Sequence, residues 1–132
     1  MAITLSARSL ERLDGAHHDL AAVIKAAAAR SSIDFTVTEV LRTPERQRQL
    51  VAAGASKTMK SRHLPGADGK SRAVDIAPLL GGKVSWDWPL FYKLAPIIKA
   101  AATDIGIPIE WGGDWRTFKD GPHWQLPWKD YP

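Results

Sequence analysis

Four histidines and no cysteine bound the chemistry open to this chain of 132 residues. Without thiols there is no disulfide, no cysteine nucleophile and no cysteine-based zinc finger, so any metal site must be built from His, Asp and Glu. Two histidines stand in turn-like settings, His63 in SRHLPG and His123 in GPHWQL. Aspartates stand near both in the pattern, Asp75 in RAVDIAP and Asp120 in KDGPHWQL. Hydrolytic metal centres keep three protein donors and an open position for water, with a further group to move protons. His63, Asp75 and His123 can supply the donors. Asp120, three residues before His123 across a Gly-Pro turn, can supply the base. On spacing alone, the same residues also fit a solvated turn leading into a tryptophan-anchored strand. His17 and His18 are adjacent on an expected helix, point about 100° apart and lack the H-E-x-x-H spacing. They read as helix surface or a helix start.

The elements around these residues follow from periodicity. Leu10, Leu13, His17, Leu20, Ile24 and Ala27 recur at helical spacing toward a core, with Asp14-Gly15 as a break. IDFTVTEV alternates, which places Ile33, Phe35, Val37 and Glu39 on one face of a strand. Thr43, Pro44 and Glu45 read as N-cap, first-turn proline and acidic first turn of a helix over 44–53, stopped by Gly54. Residues 55–72 read as loop. In RAVDIAP, Ala73, Asp75 and Ala77 share one face and Val74 and Ile76 the other, so Asp75 projects between two small neighbours with room for an ion. Asp87 is placed to cap a helix through WPLFYKLAPIIKAAATDIG, kinked at Pro96 and ended by Gly106. IPIEW and HWQL read as strands flanking the turn GGDWRTFKDGP, with His123 and Gln125 on one side and Trp124 and Leu126 toward the core. Gly112-Gly113 reads as a turn needing positive φ. The expected class is α+β, a small mainly antiparallel sheet packed with three or four helices in a single domain, residues 1–132.

Composition narrows the partners. The net charge of +4 favours polyanionic surfaces, but Lys and Arg are scattered without a basic run, so nucleic acid is not expected as a partner. No stretch has the length and apolarity of a membrane span, and the start of the chain has no signal-peptide pattern. Stable membrane insertion is therefore not expected, and synthesis should end in the cytoplasm. GASKT, residues 54–58, looks like the end of a phosphate-binding loop but lacks the G-x-x-x-x-G-K-[ST] spacing, so nucleotide binding is not expected. Phe35 apart, every aromatic residue lies beyond position 85. Trp111, Trp115 and Trp124 are either core or a wall for a sugar or peptide, the core reading being favoured at strand ends.

SRHLPG, RAVDIAP and IEWGGDWRTFKDGPHWQL, in this order and joined by SARSLERL, VTEVLRTPERQ and GASKT, resemble the phage endolysins that act as L-alanyl-D-glutamate peptidases. Those enzymes are zinc peptidases of the D-alanyl-D-alanine carboxypeptidase superfamily. The resemblance covers nearly the whole chain. It implies Zn2+ on His63, Asp75 and His123, with Asp120 as catalytic acid and base. It also implies Arg42, in LRTPERQ, beside the site to stabilise charge on the substrate carbonyl, and Ser61 at a substrate-contacting or supporting position. An arginine after a strand equally suits a structural pair with Glu39. The family core S-x-H-x-x-G-x-A-x-D is interrupted here, since ADGKS stands between Gly66 and RAVD. Asp68, inside that insertion, is a rival to Asp75; the strand setting of Asp75 favours it as the ligand.

The resemblance further implies a monomeric peptidoglycan hydrolase for phage lysis, held in the host cytoplasm after synthesis and acting in the periplasm or cell wall after release. A D-alanyl-D-alanine carboxypeptidase on the same site and a non-catalytic zinc module that binds cell wall are the alternatives.

Overall fold

Polar residues start each helix. In the computed structural model, which describes residues 2–132, Ser6 accepts a hydrogen bond from the Ser9 amide at 3.1 Å and starts Ala7–Leu13 (α1). His17 Nδ1 accepts from the Asp19 amide at 3.0 Å and starts His18–Arg30 (α2), so this histidine is a cap. Thr43 accepts from the Arg46 amide at 3.0 Å ahead of Pro44–Ala52 (α3). Capping oxygens and nitrogens of this kind satisfy amides that have no partner within the helix.

Asp87 occupies the cap position of Trp88–Asp104 (α4) but makes no capping bond. Pro89, in that first turn, lacks one of the amides such a cap would serve. The helix carries through Pro96 as one element and stops before Gly106, whose φ of 72° only glycine adopts without strain.

The strands are Phe35–Glu39 (β1), Ala73–Leu80 (β2), Lys83–Val84 (β3), Glu110–Trp111 (β4) and His123–Gln125 (β5). They form an antiparallel sheet in the order β1-β2-β5-β4, with β3 a short hairpin partner of β2. Four helices on a small antiparallel sheet make this an α+β fold.

Against one side of the sheet sits a core that includes Leu20, Val23 and Ile24 of α2, Phe35 and Val37 of β1, Ile76 of β2, Leu94 and Ile98 of α4, and Trp124 of β5. Truncating a buried tryptophan such as Trp124 costs about 3–5 kcal/mol, a large part of the roughly 5–15 kcal/mol that holds a domain folded. That anchor fixes the neighbouring His123 on the opposite face. Leu10 departs from the expected stripe, being 42% exposed, because α1 is only two turns long and turns Ser9 and Leu13 inward instead. Among the described residues no helix is long and apolar enough to cross a membrane.

Register places the chemistry. Asp75 pairs with His123 of β5 on one side and with Glu39 of β1 on the other. Strict alternation would put Glu39 with Val37 on the core face. The register shifts between Val37, opposite Ile76, and Glu39, opposite Asp75, so Thr38 is an extra residue and Glu39 moves to the Asp75 face.

The ADGKS insertion leaves this register intact because it closes on itself. Gly66 donates to the Lys70 carbonyl at 2.9 Å, and Gly69 to Gly66 at 2.9 Å. Directly beyond it, Arg72 donates to the Arg62 carbonyl at 2.9 Å, which keeps the two flanks side by side.

Candidate metal centre and catalytic site

β2 and β5 set Asp75 and His123 opposite each other, and the turn before the insertion brings His63 over them. One donor atom from each residue lies within 4.8 Å of the other two. His63 Nε2 is 3.1 Å and His123 Nδ1 3.3 Å from the same carboxylate oxygen, Asp75 Oδ1. A tetrahedral zinc with donors at about 2.0–2.1 Å has donor separations of about 3.3 Å, and the two distances to Asp75 suit such an ion.

The ring nitrogens turned away from the cluster are also fixed. His63 Nδ1 is 2.8 Å from the Val40 carbonyl, which makes it the N–H donor and leaves Nε2 as the free donor pair. His123 Nε2 is 2.7 Å from Gln125 Oε1, while Gln125 Nε2 donates to Glu110 at 3.0 Å. Glu110 thereby orients the amide that orients the imidazole, and Nδ1 is left facing the cluster. His63 is 1% exposed, whereas the Asp75 side chain keeps 18% exposure on the open side.

Electrostatics fit a site that charges and discharges. Burial pushes the Asp75 carboxyl up, but hydrogen bonds from His123 and His63 and their charges outweigh it and hold Asp75 well below the usual carboxylate range. Burial opposes the charged form of His123, yet the Asp75 bond and charge win and raise it. Asp120 is raised: burial and the Asp75 charge push it up against the pull of His123, His63 and Arg42. A carboxyl in a cleft that holds its proton more tightly than usual suits a group that takes up and returns a proton.

Asp120 reaches the site because its turn folds tightly on Gly112. Its amide donates to the Gly112 carbonyl at 3.1 Å, and its own carbonyl accepts from the His123 amide at 3.2 Å. Gly112 and Gly113 do not have positive φ, contrary to the expectation for this turn; with Asp114 they form one turn of 3-10 helix. Glycine is needed at 112 for space. A β-carbon there would strike the Asp120 carbonyl and stand 3.1 Å from the His123 β-carbon.

Arg42 lies on the cleft and also pairs with Glu39. Its Nε donates to Glu39 at 2.6 Å, Nη2 donates to the same carboxylate, and Nη1 donates to Gln47 at 2.8 Å and to Ser61 at 3.4 Å. Four of its five N–H groups are thus engaged. Ser61 accepts from the His63 amide at 3.2 Å, a supporting contact, and lines the cleft.

Trp115 lines the cleft with its ring centroid 5.1 Å from that of His123. Trp111 does not: it is 4% exposed, stacked on Trp124, and its indole N–H donates to Gly121 at 2.7 Å. Trp111 and Trp124 thus follow the core reading, and Trp115 departs from it by lining the cleft. Asp68 is outside the cluster, exposed, and paired with Arg72 at 2.5 Å.

Two residues the sequence did not single out complete the site. Gln47, fully buried on α3, donates to Ser56 at 2.8 Å and to the Thr58 carbonyl at 2.5 Å, tying the GASKT loop to the cleft. Its only sequence signal was a glutamine in a helix otherwise written for solvent. Phe118 lies across from that loop. The cleft between them holds about 280 Å³.

Residues 1–125 match the family described as phage L-alanyl-D-glutamate peptidase. The crystal structure of the Serratia marcescens L-Ala D-Glu endopeptidase ChiX superposes with a TM-score of 0.88 at 45% identity, covering 98% of this chain and 94% of that one. The L-alanyl-D-glutamate peptidase of Listeria phage A118 is 36% identical over 80% of this chain, and the match spans 37% of that relative's length. The L-alanyl-D-glutamate peptidase of Escherichia phage T5 is 29% identical over 91% of this chain and 87% of its own. The chain belongs to the phage L-alanyl-D-glutamate peptidase family.

Proposed function

We propose that the chain is a zinc-dependent peptidoglycan endopeptidase that hydrolyses the bond between L-alanine and D-glutamate in stem peptides, serving phage lysis. The observation that carries this reading is the convergence of donor atoms of His63, Asp75 and His123 within 4.8 Å of one another beside Asp120. The names of the relatives supply the bond. The reading takes residues 1–132 as one catalytic domain acting as a monomer, soluble in the host cytoplasm and active on the wall after release.

His63 Nε2, Asp75 and His123 Nδ1 would hold a zinc ion, which would supply Lewis acidity toward the attacking water and the amide carbonyl. Asp120 takes the proton of the attacking water and returns it to the departing amine of glutamate. Arg42 places its charge, and its one uncommitted N–H, near the developing oxyanion, while Glu39 and Gln47 hold the guanidinium in place. Glu110 and Gln125 keep His123 in the tautomer that presents Nδ1.

Chelation tests the metal requirement. Loss of turbidity in a suspension of purified walls should stop when the protein is treated with a chelator and return on addition of zinc. Zinc must displace a proton from His123, whose affinity for protons is raised, so reloading should weaken as pH falls. Undiminished lysis by protein shown to be free of metal contradicts the proposal.

A further inference from the structure

Two loops face each other across the cleft, and one contact joins them. Residues 54–61 form the first loop, tied down by Gln47; residues 115–120 form the second. Lys57 of the first sets its ammonium 4.6 Å from the ring centroid of Phe118 of the second. Phe118 is the one non-glycine residue with positive φ among those described, at 53°. An aromatic residue in that region costs about 1–2 kcal/mol. Burial does not account for it, because Phe118 is 46% exposed. What the strained backbone achieves is to point the ring at Lys57, two residues from Asp120.

Of the other charged side chains on the cleft, Lys60 has no carboxylate partner but is set against no aromatic ring among the described residues, whereas Arg42, Arg62 and Asp75 are committed. Arg42 is bound to Glu39, Arg62 donates to the carbonyl of Leu126 at 2.8 Å, and Asp75 sits between two histidines. Lys57 has no carboxylate partner among the described residues. The cleft thus holds a cation set against an aromatic ring of the loop that carries Asp120.

The substrate chemistry matches that cation. Glutamate has two carboxyl groups, and a stem peptide that continues beyond it uses only one; the other remains a free anion close to the scissile nitrogen. Asp120 must reach that nitrogen, so the glutamate lies on the Asp120 and Phe118 side, where its free carboxylate meets the like charge of Asp120. A cation there offsets the repulsion. We infer that Lys57, held by Phe118, determines specificity by pairing with the free carboxylate of the residue on the amine side of the cleaved bond. This rests on the function proposed above.

The test compares two synthetic stem peptides, one with L-Ala–D-Glu and one in which the free carboxyl of that glutamate is a carboxamide. For the wild-type enzyme kcat/KM should favour the carboxylate peptide by about fivefold, the scale of a partly solvated ion pair, and added salt should shrink the preference. Lys57→Met should bring the ratio to about one, Lys57→Arg should keep it, and Phe118→Leu should reduce it, as expected when a positioning ring is lost. If Lys57→Met cuts both peptides with the wild-type ratio, the inference falls and the proposed function stands. If the wild-type enzyme leaves the L-Ala–D-Glu bond intact in both peptides, the function falls and the inference with it.

Discussion

Asp120→Ala should retain its metal and lose about 10²- to 10⁴-fold in kcat/KM, the range for removal of a general acid and base. The carboxylate is not one of the three clustered donors, so its loss leaves the ligand set whole. Metal analysis and wall-lysis kinetics on the same preparation check this, and unchanged lysis contradicts the assignment of the base.

The pH dependence has a defined sign. Asp120 must be ionised to accept a proton, and its affinity for protons is raised by burial and by Asp75. Activity should therefore fall with decreasing pH, beginning above the ordinary carboxylate range.

Stability of the metal-free protein should run the other way. A carboxyl with a raised folded pKa contributes stability that is full below its unfolded value and is lost as pH rises through the folded value. Asp120→Asn removes that loss, so in thermal melts near neutral pH the metal-free variant should melt above the metal-free wild type while staying inactive. Such opposition of stability and activity is the mark of a group placed for chemistry.

The second large effect separates two aspartates. Asp75→Ala should abolish metal binding and lysis together, because Asp75 Oδ1 is the atom that both imidazoles face. Asp68→Ala should retain both properties, its carboxylate being exposed and bound to Arg72 on the self-closed insertion. An exposed pair of that kind contributes about 1 kcal/mol or less, so the variant should also melt close to wild type. Metal lost from Asp68→Ala but retained by Asp75→Ala would reverse the ligand assignment.

Much of this site could be read from residue order because strands translate sequence into direction. Asp75 lies between Val74 and Ile76, and His123 precedes Trp124; once the apolar residues commit to the core, the polar ones are forced to the shared face. Thr43-Pro44 likewise announced α3, since capping is a local interaction.

The parts that could not be read depend on contacts distant in sequence. Glu39 joins the site face only through a bulge that exists when β1 pairs with β2. Gly112 looked like a conformational requirement and is a steric one, set by the return of the chain at Asp120. Trp111 and Trp115 have the same residue type and similar flanks, but the 3-10 turn between them sends one into the core and the other onto the cleft. Gln47 is buried to tie down a loop closed by residues 56 and 58, a purpose no helical period encodes.

Mass spectrometry of purified peptidoglycan digested by the wild-type protein identifies the bond that is cut. Glycan strands left with L-alanine bearing a free carboxyl terminus are expected, together with released peptides that begin with D-glutamate, and neither product when chelator is present. Free D-alanine released from stems whose L-alanyl-D-glutamate bond remains intact would contradict the proposed function, and would assign the same site to a carboxypeptidase.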